Sequence, residues 1–271
     1  MRLEGKVALV LGGIKGIGKA IGLDLAGDGA TVVYTYFDWP ESLAALREDA
    51  GASGRAHWIV KVDLTDLRAV AKLVQGIIDR FGRLDILINN IERGGWPVVH
   101  GPYLPEQWDL ELATTLRAKQ WVFSAALPHL KSSGDGVAIN FSSIAGLVGR
   151  SGPASYLFNE GYSAANRGVS LLTETWARLG APEVRVNEIM LGLFETRHAQ
   201  HTRGWRLLTA AQREALIDHT LLKRTGSLAD AVKAVRFIIQ EAPYMTGSIL
   251  RLDGGYLLGG EKIAPMPQGV D

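Results

Sequence analysis

The sequence lacks several features that would indicate a function by themselves. None of its 271 residues is cysteine, which excludes disulfide bonds and thiolate chemistry. No apolar run approaches the roughly 20 residues of a membrane span, and the start, from Met1 to Lys6, lacks the apolar core of a signal peptide. The net charge is only +1, with both signs interspersed, so no basic stripe favours nucleic acid. These absences predict a cytoplasmic protein with no nucleic-acid or membrane partner.

The apolar pattern that is present predicts an α/β fold. A hydrophobic content of 47% over 271 residues is enough for one large core. Apolar runs typical of buried parallel strands alternate with segments of helical period. The predicted strands are Val7–Leu11, Thr31–Tyr36, His57–Val62, Ile86–Asn89, Val137–Phe141, Val184–Ile189 and Ile249–Leu252, and the clearest helices are Ile17–Leu25, Leu67–Phe81, Glu106–Leu130, Ser163–Leu179 and Leu228–Ile239. We expect a doubly wound parallel seven-stranded sheet of Rossmann type, in a single domain over residues 1–271.

The longest stretch without a predicted strand, residues 193–226, is typical of a substrate lid over the carboxyl ends of the strands. Its apolar residues, with two aromatics after the fourth strand, predict a pocket for a small-molecule substrate that is bulky and apolar; packing or oligomer contacts are the alternative. These residues are Leu193, Phe194, Trp205, Leu207 and Leu208, with Trp96 and Tyr103. The lid also contains His198, His201 and His219, but no acidic residue stands at a ligand spacing, so no metal site is predicted.

A glycine-rich turn follows the first predicted strand. Gly12, Gly16 and Gly18, with Lys15 and Ile17 between them, precede an alanine-rich helix. Glycines let the backbone approach phosphates without a Cβ, and the free N–H groups of the helix start attract negative charge. The turn therefore predicts a dinucleotide pyrophosphate site, and a tight turn without a ligand is the alternative.

Further landmarks follow the glycine turn in a fixed order along the chain. They are Asp63-Leu64, Asn89-Asn90, Ser142-Ser143, Arg185-Val186-Asn187, Thr246-Gly247 and Asp253-Gly254-Gly255. With these, the chain resembles a short-chain dehydrogenase/reductase from about Leu3 to Leu257. The resemblance implies that Asp63 and Leu64 border an adenine, that Asn90 lies along the ribose side, and that the glycines hold the pyrophosphate. For Asp63 a helix N-cap is the alternative or additional role. The two long helices beginning near Glu106 and Ser163 imply, by the same resemblance, a homodimer or homotetramer.

The resemblance also implies hydride transfer between a nicotinamide and a carbonyl or alcohol. A tyrosine acts as general acid or base, and a lysine four residues later lowers its pKa. Ser143 is the implied residue that orients the carbonyl oxygen, or else a structural serine at a strand end. Two tyrosines compete: Tyr156 has the usual spacing from Ser143, whereas Tyr162 opens the segment that resembles the family's tyrosine motif. We favour Tyr162, with Asn166 in place of the lysine and about six extra residues before it.

Two more departures concern the proton relay and the coenzyme. Thr115 stands at the position of the family's catalytic asparagine, so the water relay that the asparagine supports is in doubt. Tyr36 ends the second strand where an acidic residue would bind the ribose hydroxyls of NAD, and Phe37 follows it. Lys15 could pair with a 2′-phosphate, or be a solvated lysine. The sequence favours NADP, with NAD as the alternative.

Three functions are compatible with these residues. The first is an NAD(P)-dependent oxidoreductase of the short-chain type with an atypical active site. The second is a redox-inactive nucleotide- or ligand-binding protein, a sensor or scaffold, which the replaced lysine and asparagine favour. The third is non-redox chemistry on the same scaffold, such as elimination, with Glu160 or Glu188 as the base. We favour the first.

Overall fold

The computed structural model describes residues 2–91, 105–194, 196, 208–261, 263–267 and 269. Seven parallel strands form one sheet in the order β3-β2-β1-β4-β5-β6-β7. The strands are β1 (Val7–Val10), β2 (Thr31–Tyr36), β3 (His57–Lys61), β4 (Ile86–Asn89), β5 (Gly136–Ser143), β6 (Val184–Leu191) and β7 (Ile249–Leu252). The predicted doubly wound, Rossmann-type sheet is confirmed.

Helices cover both faces of this sheet. They are α1 (Gly16–Gly27), α2 (Leu43–Ala52), α3 (Leu67–Phe81), α4 (Pro105–Glu111), α5 (Ala118–Ser132), α6 (Ala145–Val148), α7 (Glu160–Gly180), α8 (Ala210–His219) and α9 (Leu228–Arg236). The helices α1, α2 and α9 pack in one apolar core, and α3, α5 and α7 pack in a second core on the opposite face. Among the described residues, no helix is both long and apolar enough to cross a membrane.

Most predicted element bounds hold to within a few residues, and the differences have physical causes. The strand β1 ends at Val10, one residue early, although the Leu11 N–H still donates to the Ile88 carbonyl of β4 at 3.0 Å. The strands β5 and β6 continue further than predicted, to Ser143 and Leu191, which pair in register. This extension carries Ser143 to the carboxyl edge of the sheet inside a strand.

Three helices differ from the prediction. Helix α2 was not predicted, and it buries only Leu46 and Ala50, so its apolar period is sparse. The predicted Glu106–Leu130 helix is divided by a π-helical segment, Leu112–Arg117. Helix α7 begins at Glu160, three residues early, because the Asn159 side chain caps it by accepting from the Tyr162 N–H at 2.7 Å.

Asp85 connects β1, β4 and β5 at the end of the sheet where these strands begin. Its Oδ2 atom accepts from the Val7 N–H at 2.9 Å, and its carbonyl accepts from the Val137 N–H at 2.9 Å. The Arg83 guanidinium donates to both carboxylate oxygens, and Lys6 Nζ lies 3.2 Å away. Burial by itself would raise the pKa of Asp85, but the hydrogen bonds from Arg83 and Val7 and the charge of Lys6 bring it below its usual range.

Candidate coenzyme and active site

The glycine turn lies at the carboxyl end of β1, where the strand order changes direction between β1 and β4, the usual ligand position in such sheets. Gly12 has φ +64 and its N–H donates to Thr35 Oγ1 at 3.2 Å. A Cβ on Gly12 would lie 2.8 Å from the Asn90 carbonyl oxygen. A Cβ on Gly18 would overlap the Gly12 carbonyl oxygen. The turn therefore has no room for side chains at these positions and presents backbone to any ligand.

The start of helix α1 directs its free N–H groups at this turn. Gly16 opens the helix with φ +57, and Lys15 is the extended N-cap residue with no capping side-chain bond. The side chain of Ile17 turns inward to the core, so only its backbone faces the turn. These N–H groups and the helix dipole suit a pyrophosphate.

Thr196 also lies at the glycine turn, and the sequence analysis missed it. Its Cγ2 atom would lie 3.6 Å from a Cβ on Gly16. It follows β6 in a loop, and neither periodicity nor a local motif connects it to residues so distant in the chain. Its hydroxyl is therefore a candidate ligand group beside the phosphates.

The predicted adenine side comprises Tyr36, the last residue of β2, then Phe37, and Asp63 and Leu64 after β3. Asp63 Oδ1 accepts from the N–H and the hydroxyl of Thr65, at 2.8 and 2.6 Å. The cap of α3 is Asp66, so the N-cap interpretation of Asp63 was wrong. Tyr36 is partly buried against the core, whereas the Phe37 side chain is 48% exposed. Asn90, on the ribose side, has its Nδ2 atom 3.4 Å from the Leu11 carbonyl oxygen.

Ser143 ends β5 and is buried. Its hydroxyl oxygen accepts from the Ala145 N–H at 3.1 Å, which fixes the hydroxyl at the start of α6. The neighbouring Ser142 points to the other face of the sheet, where it donates to Glu188. The two adjacent serines thus have different surroundings, and Ser143 is the one at the coenzyme edge.

The two candidate tyrosines lie in different environments. Tyr162 is on helix α7, is 2% exposed, and packs in an apolar cluster with Ile144 and Ala145 directly after Ser143. Tyr156 ends a 3₁₀ turn, Pro153–Tyr156, and is 38% exposed. Tyr162 therefore shares a buried cluster with the residues after Ser143, whereas Tyr156 lies in a partly exposed turn.

Close backbone packing holds α7 against that segment. A Cβ on Gly146 would lie 2.8 Å from the Arg167 backbone nitrogen and 2.9 Å from the Asn166 carbonyl carbon. Only glycine at position 146 permits this approach. The turn of α7 that carries Asn166 is thereby fixed beside Ser143.

Asn166 is fully buried one helical turn after Tyr162. Its Nδ2 atom donates to the Tyr162 carbonyl at 2.9 Å, and its Oδ1 atom has no partner among the residues that the structure describes. A buried acceptor without a donor is costly, and a ribose hydroxyl could donate to it. Together with the glycine turn, this unpaired oxygen shows that the residues fit a nicotinamide dinucleotide.

Thr115 lies in the π-helical segment between α4 and α5 and is fully buried. Its hydroxyl donates to Glu111 Oε2 over 3.4 Å. Segments of π-helix are frequent at functional sites, but a threonine side chain cannot offer the amide groups of an asparagine. That Thr115 stands in for the family's asparagine stays a prediction.

A buried polar layer lies between the sheet and helices α5 and α7, and it was not predicted. Asn89 Nδ2 donates to Asn140 Oδ1 at 3.1 Å, and Asn140 Nδ2 donates to Thr173 Oγ1 at 2.9 Å. Lys119 is fully buried and its Nζ donates to the Phe141 carbonyl at 2.5 Å. Phe141 lies two residues before Ser143 in β5, so the buried Lys119 ammonium lies near the candidate active site.

Glu188 completes this layer from β6. Its Oε1 atom accepts from the hydroxyls of Ser142 and Ser170, and its Oε2 atom has no hydrogen-bond partner in the described part of the chain. Burial raises the pKa of Glu188, although the two serine hydrogen bonds and the Lys119 charge oppose the rise. Glu160, the other carboxylate proposed as a base, is exposed and lies 3.4 Å from Arg150. These positions favour structural roles for both carboxylates.

The described part of the predicted lid packs against the extra residues before Tyr162. Leu157 and Phe158 belong to one apolar cluster with Leu193, Leu208 and Leu216 of the lid. The Phe158 ring lies 6.0 Å from the Tyr162 ring. Leu157 and Phe158 therefore pack with the described part of the lid and, through the Phe158 ring, beside Tyr162.

Other lid residues have separate positions. His219 lies against the Tyr256 ring at 4.6 Å, while His198, His201, Trp205 and Leu207, like Trp96 and Tyr103, lie outside the described residues. In the described ranges, no three histidine or acidic side chains converge as a metal site would require.

Comparison with known proteins decides the family. A model of the short chain dehydrogenase family matches residues 6–207, well over half of the chain. The chain belongs to the short-chain dehydrogenase family. The expected family resemblance is thus confirmed, and the glycine turn, Ser143 and helix α7 all lie within the matched residues.

Relatives of this short-chain dehydrogenase cover nearly its whole length. The 3-oxoacyl-(acyl-carrier-protein) reductase FabG of Thermotoga maritima is 30% identical over 262 residues, 95% of this chain and 100% of the relative. The 1,6-dihydroxycyclohexa-2,4-diene-1-carboxylate dehydrogenase of Acinetobacter baylyi is 28% identical, over 94% of this chain and 97% of the relative. Both names are those of oxidoreductases, which supports an NAD(P)-dependent oxidoreductase at that level of reaction class.

A solved structure gives the same result. A Sinorhizobium meliloti protein, provisionally described as a short-chain alcohol dehydrogenase, superposes with a TM-score of 0.82 at 28% identity. The superposition covers 95% of this short-chain dehydrogenase and 98% of the other chain.

Proposed function

We propose that this chain is an NADPH-preferring oxidoreductase that interconverts a carbonyl compound and an alcohol. The observation that carries the proposal is the position of Tyr162 on helix α7, buried beside the Ser143 segment at the carboxyl edge of the sheet. A hydroxyl pair at this edge, next to a glycine turn for a pyrophosphate, is the arrangement that carbonyl reduction needs.

The coenzyme, when bound, supplies the hydride that adds to the carbonyl carbon. The Ser143 hydroxyl, held by its bond to the Ala145 N–H, donates a hydrogen bond to the carbonyl oxygen and orients it. The Tyr162 hydroxyl gives its proton to the same oxygen as negative charge develops there. In the reverse direction Tyr162 accepts the proton of the alcohol.

Asn166 is the proposed contact to the nicotinamide ribose. Its unpaired Oδ1 atom accepts a ribose hydroxyl, as an amide can. It supplies no positive charge to favour the phenolate of Tyr162. The protein is therefore expected to be a slow catalyst at neutral pH compared with a variant that carries a lysine there.

The proposed coenzyme preference rests on Lys15 and on the end of β2. Lys15 is an exposed cation at the start of α1, beside the phosphate site. Tyr36 and Phe37 offer no carboxylate that would bind ribose hydroxyls and repel a 2′-phosphate. The balance supports NADPH over NADH.

The apolar cluster beside Tyr162 supports a small-molecule substrate with an apolar body. Phe158, Leu193 and Leu208 are almost completely buried there, so a polar substrate would gain no hydrogen bonds from them. A bulky apolar substrate would replace apolar contacts between these side chains with apolar contacts to the substrate.

A homodimer or homotetramer is part of the proposal. Helix α7 exposes Leu171 by 66% and Leu179 by 53%. A groove beside this helix is lined by apolar residues such as Leu116 and Leu172. Exposed leucines beside an apolar groove indicate a surface that another copy of the chain would cover.

The test of the proposed function separates the two tyrosines. NADPH and NADH are first titrated by calorimetry, and carbonyl compounds are then screened for NADPH oxidation. The Tyr162→Phe variant should lose at least about 100-fold in kcat, the usual contribution of a general acid. The matched control, Tyr156→Phe, should keep the activity of the unmodified protein.

Other outcomes would contradict parts of the proposal. Loss of activity in Tyr156→Phe alone would move the acid/base role to Tyr156. Coenzyme binding without any turnover would favour the redox-inactive sensor or scaffold, which the absence of a lysine at Asn166 and of an asparagine at Thr115 supports. Binding of neither coenzyme would remove the oxidoreductase proposal itself.

A further inference from the structure

Trp39 lies in the loop after β2 in a backbone conformation that tryptophan rarely adopts. Its φ and ψ are 66° and 49°, in the left-handed region. The conformation is followed by a 3₁₀ turn, Pro40–Ser42, whose Ser42 N–H donates to the Trp39 carbonyl at 3.0 Å. A left-handed backbone at a residue with a Cβ costs free energy and is concentrated at functional sites.

The indole ring of Trp39 contacts the one cation of the glycine turn. Lys15 Nζ lies 2.9 Å from the centre of the ring, which is cation–π geometry. Lys15 is the N-cap residue of α1, with an extended backbone, φ −155 and ψ 176. Its side chain therefore reaches out of the phosphate turn and is held over a ring supplied by the next loop.

This contact lies where the two coenzymes differ. The loop begins directly after Tyr36, at the end of β2, the position that distinguishes a ribose hydroxyl from a 2′-phosphate. The indole ring has one N–H donor and no acceptor, so it cannot replace a carboxylate as a partner of ribose hydroxyls. A ring that holds a lysine there places a positive charge where the two coenzymes differ, which favours the phosphorylated ribose.

The other charged groups of this region do not duplicate Lys15. Lys61, at the end of β3, lies 5.8 Å from the Phe37 ring, one strand further from the glycine turn. Asp38, next to Trp39, carries a negative charge that opposes a phosphate and makes the position of the Lys15 ammonium more critical. A flexible lysine in solvent would lose rotamer freedom when it binds a phosphate, and a lysine already held by the ring loses less.

We propose that Trp39 is a positioning residue for coenzyme choice: its ring holds the Lys15 ammonium where the 2′-phosphate of NADPH binds. The inference rests on the proposed function, since it concerns the coenzyme of the same site. It goes beyond that function because it assigns the selectivity to a pair of residues, of which Trp39 acts only through Lys15.

The experiment is a double-mutant cycle on coenzyme affinity. Dissociation constants for NADPH and NADH are measured by calorimetry for the unmodified chain, Trp39→Leu, Lys15→Met and the double variant. Trp39→Leu should weaken NADPH binding about tenfold, as expected from the loss of a cation–π contact, and change NADH binding less than about twofold. In the Lys15→Met background, Trp39→Leu should have no further effect on NADPH, because a residue that acts through Lys15 cannot act without it.

Two additional measurements keep the outcome clear. Trp39→Phe retains an aromatic face and should keep most of the NADPH affinity. Adenosine 2′,5′-bisphosphate and adenosine 5′-monophosphate isolate the adenine end, and Trp39→Leu should weaken only the bisphosphate.

Three results would overturn the inference. Equal weakening of NADPH and NADH by Trp39→Leu would mean that the ring stacks on adenine. If Trp39→Leu weakened NADPH binding equally in the Lys15→Met background, Trp39 would act independently of Lys15. If Trp39→Leu tightened NADPH binding, the ring would compete with the phosphate for the Lys15 ammonium. If the unmodified chain binds neither coenzyme, the proposed function itself is wrong. The titration of the unmodified chain distinguishes that result from a failure of the Trp39 inference alone.

Discussion

The substitution Asn166→Lys places a positive charge where the active-site helix has none. Asn166 is fully buried and lies four residues after Tyr162 on helix α7, a spacing that brings Cβ atoms to about 5–6 Å. At ~6 Å and an effective dielectric constant of about 20, a lysine ammonium stabilises a phenolate by about 3 kcal/mol, or about two pH units. The variant should therefore ionise Tyr162 about two pH units lower than the unmodified protein does.

The assay is the ultraviolet absorbance of tyrosinate as a function of pH. The same titration of a Tyr162→Phe variant, subtracted from that of the unmodified chain, isolates the signal of Tyr162. The pH profile of kcat with NADPH and an active carbonyl compound should move in the same direction, because the general acid then works closer to neutral pH. The two measurements are independent, since the first needs neither coenzyme nor substrate.

The matched control is Asn166→Met, which has nearly the length of lysine without its charge. It removes the 2.9 Å hydrogen bond from Asn166 to the Tyr162 carbonyl but adds no charge. The pH midpoint of Tyr162 ionisation should therefore stay unchanged. Equal midpoints in the lysine and methionine variants, with both proteins folded by circular dichroism, would refute the reasoning. Position 166 would then not face the phenol, and the alignment of α7 with the active site would be wrong.

Three other changes test the surrounding structure. Gly18→Ala should lower the free energy of unfolding by about 1–3 kcal/mol in chemical denaturation, since its Cβ has no room, and unchanged stability would contradict the packing of the turn. Asp85→Asn should lower the free energy of unfolding by about 2–3 kcal/mol at neutral pH. Because the folded pKa of Asp85 is lowered, this loss of stability is complete above about pH 4 and disappears as the pH falls through the folded pKa. Leu171→Glu should dissociate the oligomer in sedimentation, whereas the control Leu222→Glu, at a comparably exposed leucine outside α7, should not.

Much of the fold could be predicted because its determinants are local. Alternating apolar runs and helical periods gave all seven strands, and the bounds of β2, β4 and β7 agree with the prediction. Errors occurred where an element has few buried residues, as in α2, or where tertiary contacts alter a boundary. The π-helical break at Leu112–Arg117 is of the second kind, since nothing in the local apolar period distinguishes it from a continuous helix.

The candidate site was only partly accessible to the same reasoning. Glycine and serine residues at strand ends, and a tyrosine near the start of a helix, follow recognisable spacings, so Gly12, Ser143 and Tyr162 could be proposed from the sequence, and their roles stay predictions. Lys119 and Glu188 were not assigned to a buried layer, because they come from elements far apart in the chain and meet only across the sheet. A charged residue in a helical or strand pattern is usually solvated, and only the structure shows that both of these are buried.

The separation of fold from chemistry explains how the site can change without loss of the architecture. Asn187 donates to the Met245 carbonyl at 2.8 Å and accepts from the Ser248 N–H at 3.1 Å, so it joins β6 to the start of β7. Gly146 permits α7 to approach α6. Such residues serve backbone geometry, and their loss would cost stability in any member with this fold. The side-chain hydrogen bonds of Asn166 and Thr115 stay within their own helical segments, so we expect substitution there to disturb the sheet less than a change at Asn187 or Gly146 would.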